Sequence, residues 1–283
     1  MKKKGRFAFC GRHGMLLICS VVILLPLVYT VCNSFMATSE INHYYAGINA
    51  QNGTTAFHLI PDMFSLDSYY KVFVGRPDYL MKFWISLFLT SAIVIGQLVV
   101  SVLAGYALAK FALPFRNFFM FVIIALMMMP YQVTLVSNYI VLEKIGLLNT
   151  YWALVLPGIF SPFGVFLMRQ ILSTMPDTIL EAAKLDGANQ FQLIRKIIVP
   201  SCKSGIVSLV ILSFIDYWNM VEQPLIYLDD PTRYPLSVFL AHFNSSNLGL
   251  SFTCGVLAMI PVLLLFWLFE NDLTKGIAFS SLK

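Results

Sequence analysis

Apolar positions gather into six long runs, and the polar stretches between them carry nearly all the charge. The runs cover roughly residues 14–35, 83–109, 117–140, 151–172, 204–227 and 251–270. Each approaches the ~20 residues that a helix needs to cross the hydrocarbon core of a bilayer. The pattern predicts an all-α fold: a polytopic membrane helix bundle of six transmembrane helices. The first run, "MLLICSVVILLPLVYTVC" behind "MKKKGR", has the charge order of a signal peptide. It is longer than the usual apolar region of about 7–15 residues, and no small-x-small cleavage site follows, so it reads as a retained span.

Composition agrees. Hydrophobic residues make up 58% of the 283 residues, charged residues only 12%, and mean hydropathy is +0.77. A soluble domain of this size needs more charge to cover its surface. Lysines and arginines then orient the bundle. With the N-terminus in the cytoplasm, fourteen of the nineteen fall on the cytoplasmic side and five (Lys71, Arg76, Lys82, Lys144, Arg233) on the outer side. That split obeys the positive-inside rule. Membrane orientation accounts for the basic balance, so no nucleic-acid partner is needed. The expected organisation is a cytoplasmic segment 1–13, a first transmembrane helix 14–35, an extracytoplasmic loop 36–82, a transmembrane core 83–270 with a polar cytoplasmic loop at 173–203, and a cytoplasmic tail 271–283.

The chemistry of catalysis is missing. His13, His43, His58 and His242 lie far apart with no H-E-x-x-H spacing, and no metal site is expected. No G-x-S-x-G occurs, and "CKSG" at 202–205 has no phosphate-cradling glycines ahead of it. The five cysteines form no C-x-x-C pair and read as free packing thiols. In the outer loop, "NAQNGTT" carries turn chemistry and a glycosylation sequon, and "PDMFSLDSYYKVF" predicts a short interfacial helix. Prolines punctuate the spans. "LPGIFSPFGVF" in the fourth predicts a kink, read either as ordinary bundle irregularity or as a broken helix beside a transport path. Asp216 and Glu222 are carboxylates in the fifth run; Glu222 also suits a solvated position near the outer end.

The polar segment "MPDTILEAAKLDGANQFQLIRKIIVP" is helix-forming. Pro176 and Asp177 suit a helix start, Gly187 a left-handed C-terminal turn, and Asn189 the cap of a second helix that stops at Pro200. This predicts a helix–turn–helix too polar to span the membrane. It is open to two readings, a helix that fits a partner's groove or an amphipathic helix resting on lipid.

Within it, Glu181-Ala182-Ala183, three residues, Gly187, nine residues, Ile197, one residue and Val199-Pro200 resemble the EAA loop of permease subunits of binding-protein-dependent ABC importers. The family pattern is EAA, three residues, G, nine residues, I-x-L-P; Val199 replaces the leucine. "SVLAGYALAKF", "MMMPYQVTLVSNYIVLEKIGLLNTYWALVLP", "FGVFLMRQ" and "WNMVEQPLIYL" resemble the maltose-type permeases of carbohydrate importers, over roughly 65–283. Ser137 stands where many relatives have proline. The resemblance implies a permease subunit of an ATP-driven importer for a sugar such as an oligosaccharide, in a bacterial inner or plasma membrane, with both termini cytoplasmic. It implies that this chain is no enzyme and holds no cofactor, and that ATP and Mg bind a partner ATPase. The implied partners are a homologous permease subunit, two ATP-binding subunits, an extracytoplasmic solute-binding protein, the sugar and membrane lipid. Coupling to the ATPase falls to Glu181, Ala182, Ala183, Lys184, Asp186, Gly187 and Pro200. Tyr131, Gln132, Asn138, Trp218, Asn219 and Glu222 have the aromatic, amide and hydroxyl chemistry of a sugar pathway, although Trp218 also suits packing or an interfacial belt. Glycerol phosphate and polyamine are competing solutes. An ion-coupled secondary transporter is the rival class, with Asp216 as its only coupling carboxylate.

Overall fold

A computed structural model of the chain describes residues 2–45, 58–75, 77–241 and 248–280; the turn and sequon at 49–55 and His242 lie outside them. Among the described residues the fold is helical apart from one antiparallel bridge, Met36 to Phe64. It forms two compact units, Met1–Met81 with Leu240–Ile260, and Lys82–Phe239 with Pro261–Lys283.

The first unit contains α1 (Lys2–Ser34), α2 (Thr38–Tyr45) and α3 (Asp67–Tyr70), which runs on as a π-helical turn to Gly75. Its Gly14–Ser34 stretch is long and apolar enough to cross a membrane, and none of its most hydrophobic window is buried in protein. The hydroxyls of Ser20 and Thr30 donate 2.8 Å bonds to the carbonyls of Leu16 and Pro26, so no polar group is left facing lipid at those positions. The expected outer loop is not all loop. Met36, Ile41 and Tyr45 form a small core with Tyr29, Leu248 and Phe252, and buried Asn33 accepts from the Tyr45 hydroxyl at 2.8 Å. Phe35 stacks on Phe64 and Tyr69.

The second unit begins within α4 (Pro77–Lys110) and continues through α5 (Arg116–Met127), α6 (Tyr131–Lys144), α7 (Trp152–Ile159) and α8 (Pro162–Ser173). Then come α9 (Asp177–Leu185), α10 (Gln190–Leu193), a π turn Ile194–Ile198 and α11 (Val199–Ser201). The chain ends through α12 (Lys203–Trp218), α13 (Glu222–Tyr227), α14 (Leu236–Ala241) and α15 (Leu248–Ser280). Small residues let α4 lie close against α7 and α8. A β-carbon on Gly105 would stand 2.7 Å from Met168 Cβ and 2.8 Å from the Arg169 backbone nitrogen, and one on Gly158 would stand 2.8 Å from Ile93. Between membrane helices such packing replaces the hydrophobic drive that lipid removes.

Among the described residues, four stretches pass as spans: Gly14–Ser34, Asp78–Lys110, Trp152–Ser173 and Leu248–Asp272. Two bent pairs, α5 with α6 at 104° and the α10–α11 segment with α12 at 79°, raise the number to six if each pair is one span. Each of the runs expected over 117–140 and 204–227 contains a break. The first bends at Pro130, which caps α6 and cannot continue α5. The second ends at Trp218, because a helix carried onward would set the Pro224 ring against the Met220 carbonyl. Ser237 donates to that carbonyl instead. Pro200 likewise does not stop its helix. The π turn shifts the hydrogen bonding ahead of it, with Val199 N–H donating to Ile194, and the helix ends at Cys202.

Candidate functional site

The segment 173–203 is a helix–turn–helix whose turn is set by its own sequence. Gly187 has φ +80°, a conformation only glycine adopts freely. Its N–H donates to Lys184 at 3.0 Å and that of Ala188 to Ala183 at 3.0 Å, a Schellman closure of α9. Ala183 and Ala188 both pack on the core around Leu180 and Leu193, the apolar contact that accompanies this cap. Asn189 then opens the next helix with a reciprocal pair: its Oδ1 accepts from Gln192 N–H and its N–H donates to Gln192 Oε1, both at 2.9 Å. Rigid caps on both sides therefore present an exposed turn.

The end of α4 holds this segment. Lys110 Nζ donates to the Met175 carbonyl at 2.5 Å and to Asp177 Oδ1 at 2.6 Å, and the Tyr106 hydroxyl donates to Gln190 at 3.3 Å. Buried Leu180, Leu193 and Ile198 face the bundle; Glu181, Ala182, Lys184, Asp186 and Pro200 are exposed. Sequence reasoning missed Leu185 and Phe191, which flank the turn and remain 89% and 69% exposed. A helix former in a polar stretch does not announce its orientation until the cap fixes the face. A depression of about 300 Å³ lies beside them, lined by Asp186, Gly187, Ala188, Gln192, Lys196 and Ile197.

A second concavity, about 560 Å³, sits where three helix interruptions meet: α5 to α6, α7 to α8, and α12 to α13. The α7–α8 break follows from sequence. Ser161 precedes Pro162, is extended (φ −122°, ψ 114°), and caps α8 through its Oγ, which accepts from Gly164 N–H at 3.1 Å. Pro162 cannot donate to the Gly158 carbonyl; the Tyr217 hydroxyl does so at 3.3 Å from α12. Irregular backbone at membrane depth is tolerated where it lines a cavity in this way.

Of the six expected pathway residues, Tyr131 and Asn138 line the cavity and Gln132, Trp218, Asn219 and Glu222 do not. Trp218 is buried, stacked on Phe214 and edge-on to Phe83, a packing role. Neighbours in the chain take the other places: Tyr217, Met220, Gln223 and Tyr227. The break after Trp218 turns the following residues away from the line of α12, which hydropathy alone does not show. The Tyr227 hydroxyl donates to the Leu135 carbonyl at 3.0 Å and ties α13 to α6 beside Asn138. Among the described lining residues none is a carboxylate, lysine, arginine or histidine, and Asp216 is not among them. Aromatic rings, amides and hydroxyls are set among leucine, methionine and proline side chains, so this lining is uncharged and mostly apolar.

Residues 97–272 match the family model described as "Binding-protein-dependent transport system inner membrane component". The arabinooligosaccharides transport system permease protein AraQ of Halalkalibacterium halodurans is 26% identical over 93% of this chain and 92% of its own. The sn-glycerol-3-phosphate transport system permease protein UgpE of Brucella abortus is also 26% identical, over 94% of each. Among solved structures, a bacterial ABC transporter involved in the import of the acidic polysaccharide alginate shares the fold, with TM-score 0.79 at 21% identity over 94% of this chain and 96% of the matched one.

Proposed function

The chain belongs to the family of binding-protein-dependent transport system inner membrane components, and from that premise we propose that it is one of two homologous permeases in an ATP-driven importer of a neutral oligosaccharide. A solute-binding protein delivers the sugar from outside, and two ATP-binding subunits supply the drive. Both termini and the turn at Gly187 lie in the cytoplasm.

The observation that carries this reading is the turn at Asp186–Ala188, exposed, doubly capped and flanked by Leu185 and Phe191. A preformed helix with apolar side chains at its tip fits a cleft on a partner with little ordering entropy left to lose. Glu181, Lys184 and Asp186 supply polar contacts at the cleft edge. When ATP closes the ATPase pair, motion of the cleft reaches α4 through Lys110 and Tyr106, and the breaks around the cavity absorb it. Direction comes from the different stabilities of inward- and outward-open states in the ATP- and ADP-bound complex.

The uncharged lining favours a sugar. The similarity to UgpE supports glycerol phosphate as a second reading, but a phosphate at this depth calls for a cation that the described lining lacks. The test is reconstitution of the complex in liposomes with its binding protein. ATP hydrolysis and uptake should rise with a neutral oligosaccharide and not with glycerol phosphate. Uptake that persists without ATP under an ion gradient would overturn the importer reading.

A further inference from the structure

We propose that Glu40, His58 and Asp62 form a site for a divalent transition-metal ion of the zinc class, which pins α2 to the segment leading into α3. The sequence reading placed no metal in this chain, because no spacing rule joins these residues; the fold does. His58 Nε2 lies 3.5 Å from Glu40 Oε1 and 3.5 Å from Asp62 Oδ1, and the three donor atoms are all within 4.8 Å of one another.

Two physical accounts compete. A protonated histidine clamped by carboxylates would draw them to about 2.7–2.9 Å in directed hydrogen bonds. Here Nε2 is sealed from solvent yet makes no hydrogen bond, although two carboxylates face it. Ligands of a four-coordinate zinc ion at 2.0–2.2 Å stand at the corners of a tetrahedron, roughly 3.3–3.6 Å apart. Both separations from His58 fall in that range, and the two carboxylate oxygens lie within 4.8 Å of each other. Two carboxylates and a neutral imidazole also balance a dication. An imidazole ligand disfavours magnesium and calcium, which take oxygen.

The surroundings hold each ligand in place. The Glu40 side chain is only 6% exposed, and it accepts from Asp62 N–H at 2.7 Å and Met63 N–H at 3.2 Å. The Tyr44 hydroxyl donates to Asp62 Oδ2 at 2.9 Å and leaves Oδ1 turned to His58. The Tyr44 ring also stacks on the imidazole, centroids 4.1 Å apart and 6° from parallel. The His58 carbonyl accepts from Tyr45 at 3.1 Å and Asn33 at 3.4 Å. Outer partners of this kind orient metal ligands. Asp62 is mostly solvent-exposed, so water can complete the coordination.

The experiment uses the full chain in its detergent-solubilised complex, carrying a purification tag without histidine. After EDTA treatment and removal of the chelator, ZnCl2 is titrated by calorimetry and its effect on the melting temperature measured. The expected result is one zinc per chain and a higher melting temperature. His58→Ala and Glu40→Gln should lose at least tenfold in affinity, and Tyr44→Phe about tenfold. X-ray absorption at the zinc edge should show nitrogen and oxygen ligands only, a readout that does not depend on how well the variants fold. Sulfur in the coordination shell, equal zinc affinity in the wild type and His58→Ala, or no zinc bound at all would overturn the site and leave a histidine–carboxylate contact.

Discussion

At the scale of single residues, the turn at Gly187 separates two meanings of a surface segment. Its φ of +80° is closed to a β-branched side chain, while a β-carbon at this position would meet nothing within 4 Å. Gly187→Val therefore strains the backbone by about 1–3 kcal/mol without any clash. The variant should reach the membrane in normal amounts and fail to co-purify with the ATP-binding subunits or to stimulate their hydrolysis. Leu185→Asp keeps the backbone and removes the apolar tip, so it should weaken the same association. Wild-type coupling in both variants would leave the segment as a helix resting on lipid. In the cavity, single residues teach the opposite lesson. Tyr131 and Asn138 line the concavity, whereas Trp218, whose chemistry suits a ligand platform equally well, is packed between Phe214 and Phe83. Chemistry nominates a side chain, and only the backbone decides where it points.

At the scale of elements, legibility followed how local the cause was. The caps at Gly187 and Asn189 and the kink before Pro162 depend on residues within a turn of one another, and the sequence displays them openly. The stop at Trp218 depends on Pro224, six residues on, and on Ser237 taking up the Met220 carbonyl, so hydropathy alone does not place the break. The helix α2 was missed because eight residues of TSEINHYY carry little hydropathy signal, and its burial against Leu248 and Phe252 comes from far along the chain. Glycine spacing in α4 was equally silent until α8 lay beside it. Gly105→Ala would push a methyl group against Met168 and the Arg169 backbone, and backbone cannot rotate aside. Overpacking of this kind costs typically about 1–3 kcal/mol. The variant should show a lower melting temperature and lower yield, whereas Gly75→Ala, where nothing lies within 4 Å, should match the wild type. Equal loss in both would mean that close helix approach is not what stabilises the second unit.

For the whole molecule, the open quantity is parity. Among the described residues, four helices can cross a membrane intact, and α5–α6 and the α10–α12 segment are bent by 104° and 79°. If both bent pairs cross, six passages bring the two ends to the same face. If either is re-entrant, five passages put the ends on opposite faces, and every residue after that point changes sides. Charge favours six: fourteen of nineteen basic residues then share the cytoplasmic side, as the positive-inside rule requires. The same parity would put the Gly187 turn on the cytoplasmic side, which the proposed docking requires. Asp186 and Asp230 report on it well, since Asp186 sits on the turn and Asp230 on the loop between α13 and α14. In a cysteine-free background, Asp230→Cys should react with a membrane-impermeant maleimide in intact cells. Asp186→Cys should react only after the membrane is opened. Labelling of Asp186→Cys from outside would make one bent pair re-entrant and would remove the docking turn from the reach of any cytoplasmic ATPase.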